Sequence, residues 1–291
     1  MPGLPEAISA VTCCAASGRV LAILLAGLLL AELPAEASDE KTPPTAVSVT
    51  RDRTTGEGVA GPNAKSRDSG SITKIGAGKG QPLPTQADRE LALRARQLAQ
   101  DGNTDGALAA VEQLNPALKD TAFYFELKGT VQTLTKHYGK AESSFAEMLV
   151  KEPDSYVGRF NRAEAVMLQG RYLEAETEFA AVEKERSNVD PPVADLARFK
   201  RVACLLAHGS FLAAQLLVPP VEEGKESPAL FYSRAMILWV RKDVPGATRV
   251  LEEARKQFSA QVDDLYTDTF VELNWGVREA SGQFKFTPRF R

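Results

Sequence analysis

Two stretches with the same pattern, YGKAESSFAEMLVKEP at residues 138–153 and YLEAETEFAAVEKERS at residues 172–187, decide the fold of this chain. In each, a tyrosine is followed after three residues by an alanine and, after four more, by a phenylalanine. Spacings of three and four place these side chains on one face of an α-helix. Equivalent positions in the two stretches are 34 residues apart, which indicates a helical repeat.

The same step continues on both sides of these stretches. Small residues mark the equivalent position of successive helices: Ala107, Ala141, Ala175, Ala214 and Ala247. The steps between them are 34, 34, 39 and 33 residues. The longer step predicts about five inserted residues between Glu183 and Pro192. The pair Pro219-Pro220 predicts an early end for the helix that carries Ala214, because proline cannot continue a helix.

A 34-residue period with a small residue where helices cross resembles the tetratricopeptide repeat family. The small residues let two helices approach closely, and stacking buries the apolar face that one hairpin cannot cover alone. The resemblance implies an all-α fold, an α-solenoid of about five stacked helical hairpins over residues 86–257. The apolar periodicity that follows predicts a capping helix over residues 258–281, and residues 282–291 form a C-terminal tail.

The N-terminal segment, residues 1–37, has the order of parts of a secretory signal peptide. A single cation, Arg19, precedes the uncharged run 20–31, and an A-x-A cleavage site ends at Ala37. A run of 12 is shorter than the roughly 20 apolar residues that span a bilayer. Residues 7–18 are also largely apolar, so an uncleaved anchor is the alternative. We predict an exported, periplasmic protein, with inner-membrane anchorage or secretion as alternatives.

Residues 38–85 are rich in glycine, serine, threonine and proline. All 21 aromatic residues of the chain lie from Phe123 onward, so this segment lacks the side chains that bury most area. It cannot bury enough apolar surface to offset the cost of ordering, which predicts a disordered linker.

Overall charge and cysteine content exclude several classes of function. The chain carries 35 Lys and Arg residues against 38 Asp and Glu residues, a net charge of −3. This balance provides no basic surface for nucleic acid or an anionic membrane. Cys13 and Cys14 fall in the signal, so Cys204 is left without a disulfide partner and is expected to be a buried, small apolar residue.

No motif in the sequence supports catalysis. The two histidines, His137 and His208, each lie beside a hairpin turn, and no nucleophile or carboxylate at a known catalytic spacing accompanies them. We predict a protein that is not an enzyme and needs no cofactor or metal.

The family resemblance implies binding of a protein or peptide partner in the concave groove formed by the first helix of each hairpin. The groove candidates, carried over by position, are Arg96, Gln100, Glu126, Thr130, Thr133, Phe160, Glu164, Met167, Phe199, Ala203 and Leu206. They lack the cluster of Lys, Arg and Asn residues with which some family members clamp a C-terminal carboxylate. The partner's identity is not encoded in this pattern. The alternative function is a membrane-tethered oligomerisation or assembly module with an uncleaved anchor.

A cation recurs at the equivalent position of each first helix, before Ala or Gly in all but the fourth, where Val202 follows: Arg94, Lys128, Arg162, Arg201 and Arg234. Stacked hairpins would align these cations as a ladder. One interpretation is structural, with the charged heads paired to carboxylates such as Glu164. The other is that part of the ladder binds an acidic partner.

The tail alternates aromatic and basic residues, as in Phe284-Lys285-Phe286. It could pack on the last helix to hide apolar surface, or it could bind a partner as an extended strip.

Overall fold

The computed structural model describes residues 81–185, 189, 191–219 and 227–287. The predicted signal peptide and all but the last five residues of the predicted linker lie outside the described residues. Within them the chain is mostly helical, as predicted, and consecutive helices pack against each other. No helix in this part of the chain is both long enough and apolar enough to cross a membrane.

Eleven α-helices follow one another in the described residues: α1 (Gln86–Gln100), α2 (Thr104–Glu112), α3 (Ala122–Leu134), α4 (Tyr138–Lys151), α5 (Tyr156–Leu168), α6 (Tyr172–Lys184), α7 (Pro191–His208), α8 (Phe211–Leu216), α9 (Pro228–Val240), α10 (Val244–Gln257) and α11 (Ala260–Glu272). A short 3₁₀ helix, Pro116–Leu118, lies between α2 and α3. Two short strands, β1 (Gly276–Arg278) and β2 (Phe284–Phe286), pair antiparallel after α11.

The odd-numbered helices up to α9 are the first helices of five hairpins, and a tight turn joins each to its second helix. One residue in every turn has a left-handed backbone: Gly102, Lys136, Gly170, Gly209 and Lys242, with φ between 61° and 93°. These positions repeat the steps of 34, 34, 39 and 33 residues found for the small residues. Glycine adopts this conformation without steric cost, whereas the two lysines adopt it against the preference of an L-residue.

Small residues are buried where the helices cross. Ala141, Ala175 and Ala247 have no exposed surface. At Gly129 in α3, an added Cβ would stand 2.7 Å from the ring of Phe145 in α4. That distance leaves no room for a side chain, because carbon atoms in contact are separated by about 3.5–4.0 Å. The interval of 34 residues therefore reflects the close approach of two helices in each hairpin.

The first helices also pack on one another, α1 on α3, α3 on α5, and α7 on α9. α7 has 18 residues, whereas α5 and α9 have 13. The insertion predicted before Pro192 therefore lengthens this helix at its start. α8 has only six residues and ends at Leu216, as the proline pair predicts.

The predicted capping helix over residues 258–281 is wrong in its C-terminal part. α11 ends at Glu272, and Asn274 turns the chain with φ 58°. An added Cβ at Gly276 would stand 2.4 Å from the carbonyl oxygen of Lys285, so this position accepts only glycine in the hairpin. Phe284 and Phe286 are buried and Lys285 between them is exposed, which is the period of two that a strand imposes.

The described part of the tail packs on the protein itself. Phe284 and Phe286 are buried, with ring centroids 5.2 and 5.3 Å from that of Phe270. Phe286 also stacks on Trp239 at 5.9 Å. These contacts agree with the interpretation that the tail hides apolar surface. Phe290 lies outside the described residues.

Candidate partner-binding face

The groove candidates lie on the first helices α1, α3, α5 and α7, and all of them except Gln100 and Thr133 are buried. Phe160, Met167 and Phe199 are buried in the largest hydrophobic core, together with Ala203 and Leu206. Their assignment as partner-contacting residues is therefore wrong for the folded state described here. The position of a residue on a first helix does not distinguish a groove residue from one covered by a later part of the chain.

The C-terminal cover, which we define as α11 together with the β-hairpin (residues 260–286), lies over α7 and α9. The ring of Phe199 is 4.7 Å from that of Tyr266, in an edge-to-face contact. Tyr232 stacks on Tyr266 at 4.8 Å, and Trp239 stacks on Trp275 at 5.0 Å. The protein itself thus fills the face that the last two hairpins would otherwise present.

A buried cation joins the cover to the middle of the array. The Nζ of Lys200 in α7 donates to Oε1 of Glu164 in α5 at 2.7 Å and to Oε2 of Glu272 in α11 at 3.3 Å. We call these three residues the charge clasp. The Lys200 side chain is 1% exposed, and a buried charge of this kind requires such partners. Glu164 thus contacts the protein's own lysine rather than the cation ladder.

The carboxyl groups at this junction titrate abnormally. Burial raises the pKa of Glu272 to about 7, against the attraction of Lys200. Burial raises the pKa of Asp268 to about 6, although Arg278 donates to it. Burial lowers the pKa of Lys200, but Glu164 and Glu272 outweigh this effect and hold it well above its usual range. Lys200 therefore stays charged while Glu272 gains or loses its proton near neutral pH.

We expect the free energy of unfolding to fall as the pH rises from about 5 to 8. Between the ordinary pKa of glutamate, 4.5, and the folded value of about 7, the folded protein binds more protons than the unfolded chain. Stability is therefore lost across this window, by at most ~1.4 kcal/mol per unit of pKa difference. Urea denaturation at a series of pH values measures the slope.

Glu272→Gln keeps the shape of the side chain and removes its titration, so the slope above pH 6 should flatten in this variant. Below that pH, Asp268 continues to titrate. Equal slopes above pH 6 in the wild type and the variant would contradict the assignment of the slope to Glu272.

Within the described part of the chain, the cation ladder forms intramolecular contacts at four of its five positions. Arg162 donates to both oxygens of Glu178, and Arg201 pairs with Glu176 and Glu183. The other two contacts are with aromatic rings: Lys128 lies over Tyr124 and Arg234 over Phe231. These contacts agree with the structural interpretation of the ladder. Glu164, predicted as a partner of these cations, instead binds Lys200.

Four of the remaining groove candidates form a polar strip, defined as Arg96 and Gln100 in α1 with Glu126 and Thr130 in α3. In each helix the two residues are four apart, so they lie on one face. Nη2 of Arg96 lies 3.8 Å from Oε1 of Glu126. Burial raises the pKa of Glu126 and lowers that of Arg96, and their mutual attraction opposes both shifts.

Half-buried side chains lie beside the polar strip on α3. Phe123, Thr133 and Leu134 are three or four residues from Glu126 or Thr130, and each keeps part of its surface exposed. Thr133 donates its hydroxyl to the carbonyl oxygen of Gly129. The C-terminal cover packs on the later first helices, α7 and α9, whereas α3 carries half-buried polar and apolar side chains.

Sequence reasoning missed Lys200, Glu272 and Arg278. A lysine beside the apolar run Val202–Leu206 was a signal, because such a position on a packed helix is buried and needs an anion. Its partner Glu272 lies 72 residues away, a pairing that no local pattern indicates.

The histidines and the cysteine occupy ordinary environments. His137 and His208 are exposed, and their Nδ1 atoms lie 3.1 and 3.0 Å from the hydroxyls of Thr135 and Ser210. Cys204 is buried, as predicted, and burial raises the pKa of its thiol to about 12. Among the described residues, no group of three or more His, Cys, Asp or Glu side chains is arranged to hold a metal ion.

Comparison with known proteins adds no family assignment. No protein-family model matches this chain, and no curated protein shows significant similarity to it.

Proposed function

We propose that this protein is an exported, non-catalytic scaffold, an α-solenoid of the tetratricopeptide type. It binds a protein or peptide partner on the face of α1, α3 and α5. The observation that carries the proposal is the unequal cover of the first helices. The C-terminal cover occupies the face of α7 and α9, whereas the buried polar strip on α1 and α3 is flanked by half-buried polar and apolar side chains of α3.

The repeated geometry supports the tetratricopeptide part of the proposal. The left-handed turn residue and the buried small residue recur with the same steps in all five hairpins. The proposed export rests on the order of cation, apolar run and A-x-A site in residues 1–37. Absence of a catalytic motif in the sequence favours binding over chemistry.

The test is selection of peptides from a random displayed library on the full chain, followed by binding measurements with two matched variants. Thr133→Trp adds bulk to the face and should weaken the selected peptides at least tenfold. Thr177→Trp is the control, because the Thr177 hydroxyl makes the same bond to a carbonyl four residues earlier, but on the second helix α6. Selected peptides that bind wild type and both variants equally would refute the proposed face.

A further inference from the structure

The polar strip contains a buried guanidinium, that of Arg96, with a donor that makes no hydrogen bond to the described residues. The side chains of Arg96 and Glu126 are 8% and 9% exposed. Their closest approach of 3.8 Å is an ion pair without a hydrogen bond. Among the described residues, Nε of Arg96 is buried and has no hydrogen-bond partner. A buried donor without a partner is rare in folded proteins and requires a reason.

The arrangement offers a donor and an acceptor side by side with no net charge. A ligand group that accepts from Arg96 and donates to Glu126 would satisfy both without burying a new charge. A primary carboxamide has this pattern, with one carbonyl oxygen and one NH₂ on the same carbon.

Charged groups and the peptide main chain fit the site less well. A ligand carboxylate would lie beside Glu126, which already interacts unfavourably with Glu152. An ammonium or guanidinium group would lie beside Arg96. In both cases a like charge is buried at close range, which is strongly unfavourable. A main-chain amide carries chain on both sides, so it would need a wider opening than the carboxamide at the end of a side chain.

We propose that the polar strip is a recognition site for the side-chain carboxamide of an asparagine or glutamine in an extended peptide, held between Arg96 and Glu126. The inference rests on the proposed function, since it names the chemistry of the partner at that face. It differs from the clamping of a terminal carboxylate, for which the strip supplies only one cation and an opposing anion.

The experiment uses peptides selected on the full chain as described above, and it changes the peptide first. Replacing the essential Asn or Gln of a selected peptide by Asp or Glu keeps its size and adds a charge. We expect the affinity to fall at least tenfold. This measurement does not depend on the folding of any protein variant.

The second arm changes the protein. Arg96→Met combined with Glu126→Leu removes the donor and the acceptor together, and replacing a buried ion pair by apolar residues is often neutral for stability. We expect unchanged melting and at least tenfold weaker binding of the carboxamide peptides. Lys256→Met combined with Glu253→Leu removes an exposed ion pair elsewhere and should leave binding unchanged.

The outcomes separate the two proposals. Peptides that are weakened by Thr133→Trp but not by the double change in the strip would overturn the carboxamide site and leave the binding face standing. Selected peptides that depend on an essential Asp or Glu would also overturn it. Peptides insensitive to Thr133→Trp would refute the face and, with it, this inference.

Discussion

Replacing Lys200 by methionine is expected to destabilise the protein by about 3–5 kcal/mol. The change leaves Glu164 and Glu272 buried beside each other without the cation that now bonds to both. Breaking a buried ion pair by removing one partner has a cost of this size, because the remaining charge is uncompensated. Removing Lys200 raises the pKa of Glu272 further, so the loss measured by urea denaturation should grow as the pH rises above 7.

Two further variants identify the cause of this loss. Removing all three charges, by combining Lys200→Met with Glu164→Leu and Glu272→Leu, should restore most of the stability, because no unpaired charge then remains. Lys256→Met removes a lysine whose ion pair with Glu253 is exposed, and stability should barely change. A loss in the triple variant as large as in Lys200→Met would instead indicate that the lysine stem, not the charge, is what matters.

Trp275→Ala should destabilise the protein by about 3–5 kcal/mol and loosen the C-terminal cover. Trp275 is 1% exposed and stacks on Trp239 and Phe270. Truncating a buried tryptophan removes its transfer free energy and leaves a cavity. Because the chain has only two tryptophans and they stack on each other, fluorescence of Trp239 in the variant reports directly on loss of the contact.

Val277→Ala is the matched control for the hairpin. Val277 lies two residues later in β1 but is 51% exposed, so its truncation should change stability little. If Trp275→Ala and Val277→Ala have the same small effect, the cover does not pack on α9 as described.

The repeated hairpins could be predicted from sequence because their cause is local. A helix of period 3.6 must place Tyr138, Ala141 and Phe145 on one face, and the 34-residue interval carries that pattern from one hairpin to the next. The short α8 follows in the same way from the chemistry of Pro219. The histidines lie beside turns and Cys204 is buried, as predicted. A turn position indicates exposure and an apolar run indicates burial, and both can be recognised from neighbouring residues.

What the sequence by itself determined, then, is the helical repeat, its register and its short fourth hairpin, because each depends on residues that are neighbours along the chain. The tertiary structure alone decided which part of the first-helix face is open. From the sequence, Phe199 and Glu164 are both predicted to line the groove. In the structure, Tyr266 covers Phe199, and Glu164 is buried against Lys200, which also binds Glu272. These contacts join residues up to 72 positions apart, and they depend on where the C-terminal cover folds back. No periodicity encodes that position, because it results from the fit of aromatic side chains and buried charges across separate helices.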